Sequence, residues 1–287
     1  MRTLEAPCKA IENAQPKDIP KILPEVLNNV RIIWELSKYY STPDRLKSLL
    51  TKISNQIIHR CRKKININDM FGANVEKCIE DLNECIECCK QYKEISVKMQ
   101  KMIKKYSTRK DAGFDKDDTI FAENEAFIQR CKDLKEICEG QLQFALAKMP
   151  IFGGTKGKEW TVSLLDLQKM FEKYLQGIKD LKYDILDVKI THWHDDYGQV
   201  FKEEVKQIEI IYNTIIALTF KHVSTIEDAV EMLENFYLLA RRPAVMEYVQ
   251  KKAAEQVYKL FTEEIKQIEE TFEAEKKLSP PMPVSHP

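Results

Sequence analysis

Between Ala73 and Tyr106, apolar side chains recur in alternating steps of three and four residues. The series runs Val75, Cys78, Leu82, Cys85, Cys89, Tyr92, Met99, Ile103 and Tyr106, with Ser96 its one polar member. A seam kept over several heptads predicts a long helix packed side-on against other helices. The positions between are Glu, Lys, Asp and Gln, which favour helix. The chain has 8 glycines, where an average chain of this length carries roughly 20. Few tight turns are therefore available, and nothing reads as a sheet. The predicted class is all-α: an elongated array of antiparallel helical bundles with long coiled-coil-like helices.

The remaining helices follow from the same periodicity. One starts near Pro24 and ends by Tyr40, with Val26, Val30, Ile33 and Trp34 on its apolar face. Thr42 and Pro43 form an N-cap and first-position pair for a helix carrying Leu46, Leu49, Leu50, Ile53, Ile57, Cys61 and Ile65. Lys110 to Thr119 reads as a loop. Ile120 to Met149 is a helix with Phe127, Cys131, Leu134, Cys138, Leu142 and Ala145 on one stripe. Pro150 to Lys158 is a break before a helix from about Thr161 to Lys182. A loop at Asp184 to Asp196 precedes a helix over roughly Tyr197 to His222. Ser224 and Glu227 have capping-box spacing for a helix ending near Arg241-Arg242. Pro243 opens a last long helix carrying Val245, Val249, Val257, Leu260, Ile265, Ile268 and Phe272. The expected organisation is a poorly assigned segment 1–28, bundles over 29–110 and 118–278, and a Pro-rich exit 279–287.

Charge narrows the partners. Lys plus Arg and Asp plus Glu are balanced at 45 each, so no global attraction to nucleic acid or anionic membrane arises. The local basic run Arg60, Arg62, Lys63, Lys64 is expected to be a solvated helix end, where cations suit the macrodipole. No apolar run reaches the ~18 residues of a membrane span, and no signal-peptide core opens the chain. The eight cysteines read as thiols in a reducing, intracellular setting.

Three features invite a catalytic reading, and each falls short. Gly153-Gly154-Thr155-Lys156-Gly157-Lys158 has the wrong glycine spacing for a phosphate-binding loop and lacks a hydroxyl after its lysine. It reads as a glycine loop between helices. Cys85, Cys88 and Cys89 lie inside the long helix, where cysteine acts as a small buried hydrophobe; only Cys88 is off the seam. His192 and His194 are the best remaining ligand pair, but no third ligand accompanies them, and they read as a surface loop. No catalytic, cofactor-binding or metal residue is assigned, and no cofactor is implied.

A family resemblance enters at these loops and helix starts. Ile33 to Tyr40, Arg45 to Leu50 and Ile53 to Ile58 resemble a first block of dynein heavy chain tails. Ile120-Phe121-Ala122 through Phe127 to Leu134 resembles a second, and Phe152 to Gly157 the family's short glycine loop. Tyr183 to Asp187, with Asp196-Tyr197 and Phe201, is similar to a third. Phe236 to Leu239 with Arg242-Pro243 resembles the start of its long helix. The blocks occur in family order from Asn29 to Pro287 and are closer to axonemal than to cytoplasmic heavy chains. One departure is Gly113-Phe114, where a tryptophan would be expected.

The resemblance implies a non-catalytic tail segment, without the ATPase modules or microtubule-binding stalk. Its implied partners are dynein intermediate and light chains, other heavy chains and, through the complex, the axonemal doublet microtubule and docking factors, with no nucleic acid or membrane. Its implied setting is the cilium or flagellum axoneme. Two alternatives stand beside it: a metal-dependent helical protein using the His192 and His194 loop, and a free-standing helical adaptor.

Overall fold

The computed structural model describes residues 2–40, 42–72, 74–106, 118–144, 154–237 and 241–278. Gly113-Phe114, Ala145 to Gly153, Leu238-Leu239 and the Pro-rich exit lie outside them. The described residues contain helices, turns and loops and no strand, in keeping with the all-α expectation. They divide into two compact units, one of residues 1–142 with 175–199, the other of residues 143–174 with 200–287.

In the first unit, α1 (Arg2–Asn13) and a short 3-10 turn lead into α2 (Ile19–Leu36). Pro24, the expected helix start, lies inside α2. A proline there removes one backbone hydrogen bond and costs about 3 kcal/mol. Ile19 and Leu23, both fully buried ahead of it, offset that cost. Helix α3 (Pro43–Lys64) begins where expected, although Thr42 supplies cap geometry without a side-chain hydrogen bond. A one-turn helix α4 (Ile67–Met70) leads to α5 (Val75–Tyr106), which packs against α2, α3 and α4.

The α5 seam is buried from Val75 to Ile103. Ser96, its polar member, lies with Ser54 beside the Tyr92 hydroxyl, which donates to the Leu50 carbonyl at 3.2 Å. Cys88 is buried as well, grouped with Cys85 and Cys89 around Cys61 of α3. Helix α6 (Ala122–Gln143) follows and buries Phe127, Cys131, Leu134 and Cys138; Asn124 donates to the Cys89 carbonyl at 3.1 Å. The basic end of α3 is not simply solvated. Arg60 donates to the Ala14 carbonyl at 2.7 Å, Arg62 pairs with Asp184, and Lys64 lies 3.0 Å from Asp81. Long cationic side chains at a helix end can reach several neighbours at once, which periodicity does not reveal.

The second unit holds most of α7 (Gly154–Lys179), together with α8 (Lys202–Phe220), α9 (Ile226–Asn235), α10 (Pro243–Tyr248) and α11 (Ala254–Lys276). Helix α7 begins at Gly154, well before Thr161, so the expected glycine loop is helical from Gly154 onward. Each glycine costs about 1 kcal/mol in a helix, too little to stop one anchored by buried Leu164, Leu167 and Phe171. Helix α9 is capped by Thr225, which accepts from the Asp228 amide at 3.1 Å, one residue on from the expected Ser224. It stops at Asn235, short of Arg241-Arg242, as Phe236 turns into the core. Phe144 centres that core, 4.8 Å from Phe171 and 5.5 Å from Tyr212.

A π-helical stretch, Val249–Ala253, joins α10 to α11. The expected single long helix from Pro243 is thus built of α10, the π-helical stretch and α11, and its stripe does not stay buried. Val245, Ala253 and Leu260 are buried, but beyond Leu260 no described residue is. Periodicity announces a face without supplying the neighbour that would cover it.

Candidate interaction site

Each unit is organised around one buried arginine beside an aromatic ring. In the first unit, residues 181–191 have no regular helix, so their carbonyls need partners. Arg130 on α6 supplies them. It donates to the carbonyls of Ile185, Asp187 and Ile190, and its guanidinium sits 4.8 Å from the Trp193 ring centre. A guanidinium presents five donors in a fixed fork, which suits this task. Two further α6 carboxylates continue the contact. Trp193 donates to Asp133 at 2.9 Å, and Tyr197 donates to Glu136 at 2.7 Å. The two rings stack at 5.2 Å. Burial pushes the Asp133 carboxyl above its ordinary range and, to lesser effect, Trp193 and Gln129 pull it back.

In the second unit, Arg242 precedes α10 and is buried. It pairs with Glu209 of α8 and donates to the Gln143 side chain at 2.9 Å. Its guanidinium lies 5.2 Å from the Phe144 ring centre. Neither arginine stood out in periodicity, which assigns charged residues to solvent. The one signal available was that each sits in a family-like block.

The chemistry-bearing candidates are dispersed. His192 and His194 are both exposed, in the helical turn that starts at His192 and not in a surface loop. Backbone there turns once per few residues, so positions two apart point away from each other. Among the described residues no group of three His, Cys, Asp or Glu side chains could hold a metal ion. Seven of the eight cysteines are buried and Cys8 is half-buried, all as free thiols. Hydrogen bonding from Cys85, Cys88 and Cys89, then burial, raises the Cys61 thiol, and burial raises Cys131.

A 440 Å³ cavity in the first unit is lined by Ile67, Asn68, Phe71, Lys179, Tyr183 and Asp184. A 270 Å³ cavity in the second is lined by Ile216, Phe220, Tyr248 and Lys252 among others. Neither lining sets a Ser or Cys nucleophile beside a base. No helix among the described residues is long and apolar enough to cross a membrane.

What the molecule does expose is a helix face. Tyr258, Phe261, Ile265, Ile268 and Phe272 on α11 keep three- and four-residue steps and are all between 47% and 72% exposed. Such steps place them on one side of the helix.

Comparison with known proteins explains the pattern of blocks. The family model described as "Dynein heavy chain, N-terminal region 1" matches residues 1–287, including the first 28, which the motif resemblance left aside. The Dynein-1-beta heavy chain of the flagellar inner arm I1 complex, from Chlamydomonas reinhardtii, is 40% identical over 283 residues, 98% of this chain and 6% of that protein. Dynein axonemal heavy chain 2 of Mus musculus is 35% identical over 46% of this chain and 3% of its own length. Dynein axonemal heavy chain 8 of Mus musculus is 27% identical over 83% and 5% respectively. The chain thus spans about 6% of the length of the first of these relatives. Residues 1–287 belong to the dynein heavy chain N-terminal region family, and the relatives they match are axonemal and flagellar heavy chains.

Proposed function

We propose that this chain is a non-catalytic tail segment of an axonemal dynein heavy chain. In this reading it takes part in heavy-chain association and in binding intermediate and light chains, within a cilium or flagellum, so that a motor elsewhere in the assembly is held to its cargo. The observation that carries the reading is 40% identity across 98% of the chain to a flagellar inner-arm heavy chain. The structure is compatible with it, because the buried Arg130 and Arg242 clasps and the helical packing around them offer rigid surfaces. Charge-rich rims around apolar strips are the composition of partner-binding surfaces.

The test is a pull-down of tagged residues 1–287 from a ciliary extract, with the bound proteins identified by mass spectrometry. Recovery of dynein intermediate chains, light chains or another heavy chain is expected. Recovery of none, from protein shown by circular dichroism to be helical and to melt cooperatively, would overturn the assembly role.

A further inference from the structure

Helix α11 carries the least satisfied apolar surface among the described residues. At 47% to 72% exposure, Tyr258, Phe261, Ile265, Ile268 and Phe272 each leave roughly 100 Å² bare, together about 500 Å². That is comparable with the largest apolar patch on a typical monomer, and such patches mark binding sites. The five residues also occupy alternating core positions of a heptad, the arrangement a partner helix fills. No described residue of α11 beyond Leu260 is buried.

The flanks say what that is. Alongside the strip, in the positions that face a partner's flanks, stand Val257, Thr262, Glu264, Glu269 and Thr271. No cation is among them, and α11 as a whole carries seven glutamates against three lysines. Two copies paired through this face, in either direction, would bring glutamate and threonine against glutamate and threonine, with nothing positive between them. Like charges across a helical seam select against self-pairing and for a complementary partner.

We propose that the Tyr258–Phe272 face of α11 docks an amphipathic helix of a different polypeptide segment, with apolar residues at heptad spacing and Lys or Arg on both flanks. The apolar strip supplies affinity, and Glu264 and Glu269 choose the partner. The inference deepens the tail-assembly reading by naming the surface and the chemistry it accepts.

The experiment uses the full 287-residue chain and two fluorescent synthetic peptides of about three heptads. Both carry Ile and Leu at the core positions; one has Lys on both flanks and the other Glu. Fluorescence anisotropy at near-physiological salt, where long-range attraction is screened, should show the Lys-flanked peptide binding at least ~10-fold tighter. Binding should be lost in Ile265→Glu with Ile268→Glu, which changes exposed positions only and leaves the helical spectrum and melt unchanged. In Glu264→Lys with Glu269→Lys the preference should reverse.

Binding of the Lys-flanked peptide that survives Ile265→Glu with Ile268→Glu would reduce the strip to a charged surface and overturn the proposal. So would sedimentation equilibrium showing that the chain dimerises and that the same variant is monomeric. Equal recovery of dynein subunits from ciliary extract by wild type and that variant would keep the tail reading and discard this one.

Discussion

Replacing Arg242 with methionine is the sharpest test of how the second unit is held together. The Arg242 and Glu209 side chains are only 8% and 11% exposed, and Arg242 also holds the Gln143 side chain at 2.9 Å. Met fills most of the same space beside Phe144 but leaves Glu209 charged and alone. Removing one member of a buried pair costs about 3–5 kcal/mol. At roughly 3–5 °C per kcal/mol for a unit of this size, its melting transition should fall by on the order of 10–25 °C. Adding Glu209→Leu removes the stranded charge, so the double variant should recover to within about 2 kcal/mol of wild type. Thermal melts and urea titrations of all four proteins close the cycle, with an expected coupling of at least ~1.5 kcal/mol. Zero coupling, or a single variant that melts within a degree of wild type, would mean that the pair is solvated and the reasoning wrong.

Other perturbations probe the first unit. Leu82→Asp places a carboxylate at a fully buried seam position and should cost several kcal/mol, seen as lost cooperativity in the first unit's melt; an unchanged melt would refute the seam. Arg130→Lys supplies fewer donors to the carbonyls of residues 185–190 and should lose about 2–3 kcal/mol, with faster amide exchange over that loop as the readout. Asp133 is elevated above its reference value of 3.8 by burial. Its stabilising contribution is therefore complete below 3.8 and is lost as pH rises through the elevated value. Asp133→Asn should flatten that part of the stability–pH curve while keeping the Trp193 hydrogen bond, and a curve parallel to wild type would contradict the assignment.

The parts of this fold legible in sequence are those governed by a repeated local rule. The α5 seam and the α3 stripe are periodic over many turns, and Thr42-Pro43 combines two boundary signals at one place. Boundaries set by one residue's propensity are overruled by burial, as at Pro24, which follows the buried Ile19 and Leu23, and at Gly154, ahead of Leu164. Arg130 and Arg242 were illegible because their partners lie far along the chain, at Ile185 to Ile190 and at Gln143 and Glu209. For the α11 face the opposite holds. Its pattern was plain, and only coordinates could tell that no described neighbour covers it.

All eight cysteines fall between Cys8 and Cys138, hence inside the first unit and none in the second. Seven are buried, and Cys8 is half-buried with its thiol raised by burial and then by Glu12. A thiol reagent added to the native chain therefore meets a lock with one loose tumbler. Cys8 should react first, and the others only at the frequency with which the first bundle breathes open. The chain carries its own stopwatch for that bundle, one that stays silent about the other, so the labelling rate would time the opening of half a molecule without any engineered probe.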